Sequence, residues 1–529
     1  MPYAAAGMRF ALALVVAAAS GFIALSYEIL WYRVISFASL GLSGAFGLLL
    51  AAYLLGLALG ARLAGAFCKD DAAAGDRRSL RRLAAFTFVA NLVAWLVVPA
   101  FGWSTRIWDW PLALGAVTLA AALLGAILPL VCHFGIEPDD RAGANISYVY
   151  LANIAGSAAG SLVTGFVFLD VLPLQQVGVV ITALGMMLVV LLLALSGGRA
   201  ATRGVGVAAI VASGMLVVMM TPQLYDRLWE RLLYKTKFDE TSSRFAEVIE
   251  TRSGVITVTK DNVVYGGGVY DGKINTSLVY DNNGIQRAYG IGAMHPAPKR
   301  VLMIGLASGS WAKVVSAMPG VEKLTIVEIN PGYLTLIGRH KEVASLLDDP
   351  KVEITIDDGR RWLLRHAERF DVIVMNTTYH WRAHATSLLS MDFMEIARVH
   401  LLPGGFLFFN TTGSDDVMKT AMTAFPFGLR VYNFAAVSDS PIVFEKERFR
   451  RLLEAFRLDG EPVVDTSTEQ GSKVMDDLMA YADTISGPPE AEGLESRENI
   501  LQRTKSALVI TDDNMIPEWR TIFRFHDPP

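Results

Sequence analysis

Cysteine is nearly absent. The 529 residues hold two, Cys68 and Cys132, and both fall in the apolar first half. This scarcity excludes a disulfide framework and a cysteine metal site. It suits a cytosolic domain and a thiol-avoiding periplasmic one equally, so it leaves the compartment open. Charge is also scarce between Leu83 and Gly197, whereas beyond Asp226 it is dense. That shift divides the chain into a membrane half and a water-soluble half. No basic block stands out and the formal net charge is -4, so no nucleic-acid partner is expected. A chain of this length is expected to hold more than one domain.

What the first half does have is long apolar runs, near 8–30, 41–67, 83–103, 111–134, 147–171, 176–196 and 205–221. About 20 apolar residues suffice to span a bilayer. The first run has Arg9 ahead of a long apolar core, as a signal peptide would. It continues into "SYEILWYR" rather than a small-residue cleavage site, so a retained helix is expected. Gly56 with Gly60, and Gly156 with Gly160, have the spacing that lets helices approach closely in lipid. Glu28 has two readings. A membrane carboxylate is a functional candidate for transport or substrate contact. It also suits the interface, paired with Arg33 and flanked by Trp31 and Tyr32 as an aromatic belt.

Basic residues gather at Lys69, Arg77, Arg78, Arg81 and Arg82, at Arg141, and at Arg199 and Arg203. The positive-inside rule puts these loops in the cytoplasm. Seven spans would then leave the soluble half outside, and six would leave it in the cytoplasm. Residues 221–238 place Leu224, Leu228, Trp229 and Leu232 on one helical face, which suits a helix on the membrane surface or a packed one. The expected division is a multi-pass membrane domain over 1–221, an amphipathic linker over 222–243, a small antiparallel β unit over 244–290, and a Rossmann-like α/β domain over 291–529. The chain reads as a multi-pass integral protein of a bacterial inner membrane, with lipid as one partner.

In the soluble half, "FAEVIETRSGVITVTKDN" alternates and is rich in β-branched residues, and "GGG" and "YDGK" read as turns. Short apolar strands then alternate with helical stretches: "RVLMIG", "KLTIVE", "VEITID", "FDVIVM" and "GGFLFF". This pattern predicts a doubly wound parallel sheet. Ligands bind such sheets at the carboxyl ends of the strands. Gly305 and Gly309 let backbone approach a ligand. Glu328 follows about twenty residues on, where an acid accepts hydrogen bonds from ribose hydroxyls. Asp357, Asp358 and Gly359 end the third strand, where Asp358 suits an adenine amino group. The alternative is that these acids cap helices.

"HPAPKRVLMIGLASGSWAKVV", "VEINP", "DDGRRWL" and "LLPGGFLFF" closely resemble the spermidine synthase (polyamine aminopropyltransferase) family. "GKINTSLVYDNNGIQRAYGIGAMHPAPKRVLMIG", "VITDDNMIPEW" and the apolar "SGFIALSYEILWYRVISF" resemble its membrane-fused branch. The resemblance implies a transferase with a cleft for decarboxylated S-adenosylmethionine, S-adenosylmethionine or methylthioadenosine. Glu328 would hold the ribose and Asp358 with Gly359 the adenine. Gly305, Ser308 and Gly309 would face the sulfonium, and Gln286 the aminopropyl group. The acceptor implied is a small molecule, a polyamine or a lipophilic one, and the chain has room for a homodimer. The alternative is a catalytically altered relative that transports or senses such ligands, or an extracytoplasmic enzyme that reuses the fold.

The sequence departs from the family where acids are expected. The first loop has Ser308 and no acid, and Ile285 replaces the tyrosine before Gln286. The fourth strand, where the family carries an acidic pair, runs into "NTTYHWRAHATSLLS". Asn376 and Tyr379 stand at those positions. Asn376 accepts a hydrogen bond but takes no proton, so Asn376, Tyr379 and His380 are the catalytic candidates, with His380 as a base. His380 and His384 would share a face if helical, but no third ligand accompanies them and no metal is expected. Trp381, His384, Asp281, Asp512 and Asp513 are candidate substrate contacts, the acids standing in for the missing carboxylates. A structured lid loop with Trp381 packed is the plain alternative.

Overall fold

The computed structural model describes residues 2–68, 77–196, 200–376, 379–486 and 493–520. Lys69 and Arg199 of the basic loops, and Thr377 and Thr378 of the polar loop, lie outside them.

Among the described residues, seven helices are long and apolar enough to cross a membrane: Gly7–Ala38, Gly44–Phe67, Ser79–Ser104, Trp110–Gly135, Ala142–Val171, Leu174–Leu195 and Gly204–Leu224. The glycine pairs seat them. A Cβ at Gly60 would lie 1.8 Å from the Ala122 carbonyl oxygen, and one at Gly156 would lie 1.9 Å from that of Ala18. Only hydrogen fits at these crossings. Glu28 is buried in the bundle, 8% exposed, and Arg33 does not pair with it. Arg33 instead donates to the carbonyl oxygens of Thr251 and Gly254 in the soluble half. Trp31 forms no interfacial belt: it is 1% exposed and donates to Ala94 O at 3.2 Å.

The helices alternate in direction. Arg33, Arg106 and Asp170 meet Thr251, Glu240 and Arg252, so these helix ends face the soluble half. Arg9 faces Glu137 at 4.0 Å at the opposite end. The helix ends that flank the basic loops therefore lie on the face away from the soluble half. The connecting segment is packed rather than laid out on a surface. Leu228, Trp229 and Leu232 are buried in the bundle's core, with Phe37 and Trp229 ring centroids 4.9 Å apart.

The soluble half begins with a four-stranded antiparallel sheet, β1 (Phe245–Thr251), β2 (Gly254–Thr259), β3 (Val263–Gly266) and β4 (Val269–Lys273), in that order. Phe245 and Val255 join the bundle's core, so this sheet is seated on the membrane half. "YDGK" belongs to β4 and is not a turn. The main sheet contains β5 (Arg300–Ile304), β6 (Lys323–Glu328), β7 (Val352–Ile356), β8 (Phe370–Met375), β9 (Leu401–Asn410), β10 (Phe427–Val431) and β11 (Phe434–Ser438). A two-residue hairpin, β12 (Arg457–Leu458) and β13 (Glu461–Pro462), stands apart, and β14 (Glu495–Ser496) closes the edge. The order is β14-β10-β11-β9-β8-β5-β6-β7. β7, β6, β5, β8 and β9 are parallel. β11, β10 and β14 are antiparallel, so the sheet is mixed rather than wholly parallel. β5 and β8 are covered on both faces, which explains their unbroken apolar runs.

Candidate functional site

β6 and β7 lie on one side of β5, and β8 and β9 on the other. The crevice at this reversal is where such sheets bind ligands. The turn out of β5 has positive φ at Gly305 (91°), Ala307 (47°) and Gly309 (77°). It is tied down by Glu328 at the end of β6. Leu306 N donates to Glu328 Oε2 at 2.7 Å, and Asn330 N donates to Oε1 at 2.8 Å. Burial pushes this carboxyl up to about 7, against the pull of those two bonds. On the next strand end, Asp358 caps the helix Gly359–Arg365 by accepting from Arg361 N at 2.8 Å. Asp357 accepts from Arg361 Nε at 2.6 Å. A Cβ at Gly359 would meet Ile304 Cγ2 at 2.4 Å, so glycine lets this helix pack on β5.

Across β5 a cavity of about 590 Å³ opens, lined by Asp271, Gln286, Arg287, Asn376, Tyr379, Asn410, Thr412, Tyr432 and Asn433, among others. Five of its fourteen lining residues are amides: Asn283, Gln286, Asn376, Asn410 and Asn433. Asn376 Oδ1 accepts from Asn410 Nδ2 at 3.3 Å, and Asn410 Oδ1 accepts from Asn433 Nδ2 at 2.9 Å. Gln286 Oε1 is buried with no donor. A narrow recess bounded by Asp271, Gly305, Ser308 and Asn376 adjoins the cavity at the glycine turn.

Asp271 is the residue that reading the sequence missed. It lines both the cavity and the recess. Its Oδ2 accepts from Tyr333 OH. Burial pushes its carboxyl up to about 6, opposed by that bond and by the positive charge of Arg382. Alternation carried the signal: on β4, Asp271 shares a strand face with buried Val269.

The remaining candidates separate. Asn376 and Tyr379 line the cavity. His380 Nδ1 meets Thr412 Oγ1 at 2.7 Å. His384 is exposed with φ at 67°, and Tyr379–His384 is not helical, so the two histidines share no helix face. Trp381 is 5% exposed and packs with Leu42 and Val269 rather than on the cavity. Asp281 holds its own loop, accepting from Asn283 N and Ile285 N. Asp512 pairs with Arg360 and accepts from Ser390 Oγ, while Asp513 is exposed. Among the described residues, no group of three or more His, Cys, Asp or Glu is placed to hold a metal ion.

Residues 290–422 match the spermine/spermidine synthase domain. The chain is similar to the polyamine aminopropyltransferase of Desulforudis audaxviator, 35% identical over 85 residues, covering 16% of this chain and 31% of that protein. It is 34% identical over 117 residues to polyamine aminopropyltransferase 1 of Pseudomonas aeruginosa, covering 21% of this chain and 40% of that protein. With polyamine aminopropyltransferase 1 of Streptomyces coelicolor it is 23% identical over 334 residues, 60% of each. Among solved structures, a spermidine synthase in complex with the transition-state analogue AdoDATO aligns at 20% identity with a TM-score of 0.35. That alignment covers 41% of this chain and 80% of the other. The chain thus spans less than two thirds of the length of these curated relatives. Behind its seven apolar helices, the C-terminal part carries a domain of the spermine/spermidine synthase family.

Proposed function

We propose that the chain is a membrane-anchored transferase that moves an alkyl group from an adenosyl-sulfonium donor, decarboxylated S-adenosylmethionine or S-adenosylmethionine, to a small acceptor. One observation carries this reading. An acid, Asp271, and Gln286, whose buried Oε1 has no donor, are lining residues of one cavity beside the glycine turn. A buried acceptor left unmade costs about 1–3 kcal/mol, and an ammonium group would satisfy it.

On this reading Glu328 accepts from the ribose hydroxyls, and Asp358 with Gly359 borders the adenine. The turn from Gly305 to Gly309, with Ser308, faces the sulfonium. The acceptor nitrogen forms its bond to the carbon beside sulfur, the carbon–sulfur bond breaks, and the thioether leaves uncharged. The acceptor's surplus proton goes to solvent in the cavity. Asp271, its carboxyl lifted to about 6, is ionised at neutral pH and pairs with the donor's ammonium. Asn376 and Tyr379 orient the acceptor. Amide walls and Arg287 suit an acceptor with little remaining positive charge better than a free diamine. The test is release of methylthioadenosine from decarboxylated S-adenosylmethionine by the full-length protein across a panel of amine and lipid-amine acceptors. No release with any acceptor would sink the reading.

A second reading concerns the side of the membrane. The basic loops adjoin helix ends on the face away from the soluble half, and the positive-inside rule assigns that face to the cytoplasm. The soluble half then lies outside the cytoplasm, as an enzyme that reuses the fold with whatever donor is present there. A reporter fused to the C-terminus decides this. Activity of a reporter that works only in the cytoplasm would overturn it.

A further inference from the structure

The polar loop that replaces the family's acidic strand end is fastened to the membrane half. Ser39–Ser43 forms the turn between the first two long helices. Leu42 pairs with Arg382 in an isolated antiparallel bridge. Ala383 N donates to Gly41 O at 2.9 Å. Leu42, Val269 and Trp381 share a small apolar cluster, flanked by Leu40 and by the cavity residue Tyr379. Tyr379 in turn stacks on Trp381, centroids 5.4 Å apart.

A second tie runs through Glu518, which is 3% exposed. Ser43 Oγ donates to its carbonyl oxygen at 2.7 Å. Its side chain accepts from His384 N at 3.0 Å and Thr386 N at 2.7 Å. The loop is thus held at 382–383 directly by the turn, and at 384 and 386 through Glu518.

The guanidinium of Arg382 fills the space that glycines leave. A Cβ at Gly41 would lie 2.8 Å from Arg382 Nε, and one at Gly267 would lie 2.9 Å from Nη2. Gly41 has φ at 75°, so any side chain there is strained as well as crowded. A Cβ at the adjacent Gly266 would lie 3.0 Å from Asp271 Oδ2. Arg382 and Asp271 therefore flank neighbouring residues of the β3–β4 turn. The other ionisable groups facing Asp271 are Tyr333, from the helix Gly332–Arg339, and Glu328, at the end of β6.

We propose that the membrane half is a working part of the cleft: through the turn Leu40–Ser43 it holds Tyr379 in the cavity wall and positions Arg382 behind that wall, near Asp271. The bundle is then more than an anchor, because how it seats on the soluble half sets the acceptor side of the site. The role given to Asp271 rests on the transferase reading above, whereas the clamp on the loop does not.

The test uses the full-length protein in lipid nanodiscs, with Gly41→Val and Arg382→Gln as variants. Gly47→Ala is the control, since nothing lies within 4 Å of a Cβ there. Hydrogen exchange reads the clamp. In Gly41→Val, amides at Ala383 and Thr386 exchange about tenfold faster, while the main sheet is unchanged. Binding of decarboxylated S-adenosylmethionine between about pH 5 and 8 reads the cleft. Glu328 shapes the binding of this ligand and of methylthioadenosine alike, so the ratio of the two affinities isolates Asp271. Losing Arg382's charge, or displacing it in Gly41→Val, raises the pH needed to ionise that carboxyl. The midpoint of the ratio therefore rises by about one unit in both variants. Methylthioadenosine, which lacks the ammonium, binds within about twofold of wild type in both.

Unchanged exchange in the loop overturns the proposal. So does a loosened loop with an unmoved midpoint, because the clamp would then not serve the cleft. Failure of wild type to bind methylthioadenosine counts against the donor reading alone, and the exchange data still decide the clamp. Where Gly41→Val does not fold, Ser43→Ala removes the tie to Glu518 without touching the turn's backbone. Faster exchange at Thr386 then supports the clamp, and unchanged exchange overturns it.

Discussion

The two sides of the cleft are held in different ways. The wall at the end of β6, given to the donor on the proposed reading, is closed within the main sheet: Glu328 fixes the turn after β5 through Leu306 N and Asn330 N. The opposite wall is assembled from distant pieces. Asp271 comes from the small sheet, Asn376 from the end of β8, and Tyr379 from a loop that Arg382 and Ala383 fasten to the turn between the first two long helices. The difference teaches where this chain has room to change. A wall built from one sheet keeps its ligand, whereas a wall set by the seating of two halves can take a new one.

The largest expected effect tests the donor side. Glu328→Ala removes the acceptor proposed for two ribose hydroxyls, each hydrogen bond to a charged group being worth about 1.5–3 kcal/mol. Methylthioadenosine affinity by calorimetry should fall by about 100-fold or more. Asp271→Asn separates the two sides. It should weaken decarboxylated S-adenosylmethionine by about 10- to 100-fold and leave methylthioadenosine within about twofold, since only the former carries an ammonium. Equal losses for both ligands would erase the distinction between the walls.

The pH dependence of methylthioadenosine binding has a defined sign. Burial lifts Glu328 to about 7 in the free protein, and on the proposed reading the ribose hydroxyls donate to its ionised form. Affinity should therefore be full above about pH 7 and fall by up to about tenfold per unit below it. A flat profile in calorimetry down to about pH 5 would contradict the role given to Glu328. The smallest effect sharpens the acceptor side. Asn376→Asp restores a carboxylate at the end of β8 and should tighten a diamine acceptor by about fivefold, roughly 1 kcal/mol. Competition between a diamine and its mono-acetylated form would measure it.

Much of this layout was legible in the sequence, for physical reasons. Spans in lipid must be long and apolar, so the seven runs stood out. The central strands are buried on both faces, so "RVLMI" and "FDVIVM" read as strands, and the acids after "KLTIV" and "VEITI" marked their ends. The rest depended on contacts between remote segments. Asp271 looked like a turn residue because nothing local shows that β4 faces the end of β5. Arg33 looked like a partner for Glu28 because they are close in sequence, yet helix rotation and the seating of β1–β2 send it to Thr251 and Gly254. The antiparallel edge of β11, β10 and β14 escaped notice although β10 and β11 are as long as β5 and β7, because an apolar run does not show strand direction. His380 and His384 would share a face only on a helix, and the turns over Tyr379–His384, with left-handed backbone at His384, form none.

The most direct test of the account is calorimetry of the full-length protein with methylthioadenosine and with decarboxylated S-adenosylmethionine, side by side at about pH 7.5. The account predicts that both bind and that the second binds about tenfold or more tightly, because Asp271 and Gln286 engage its ammonium. Absence of binding by either ligand would contradict it.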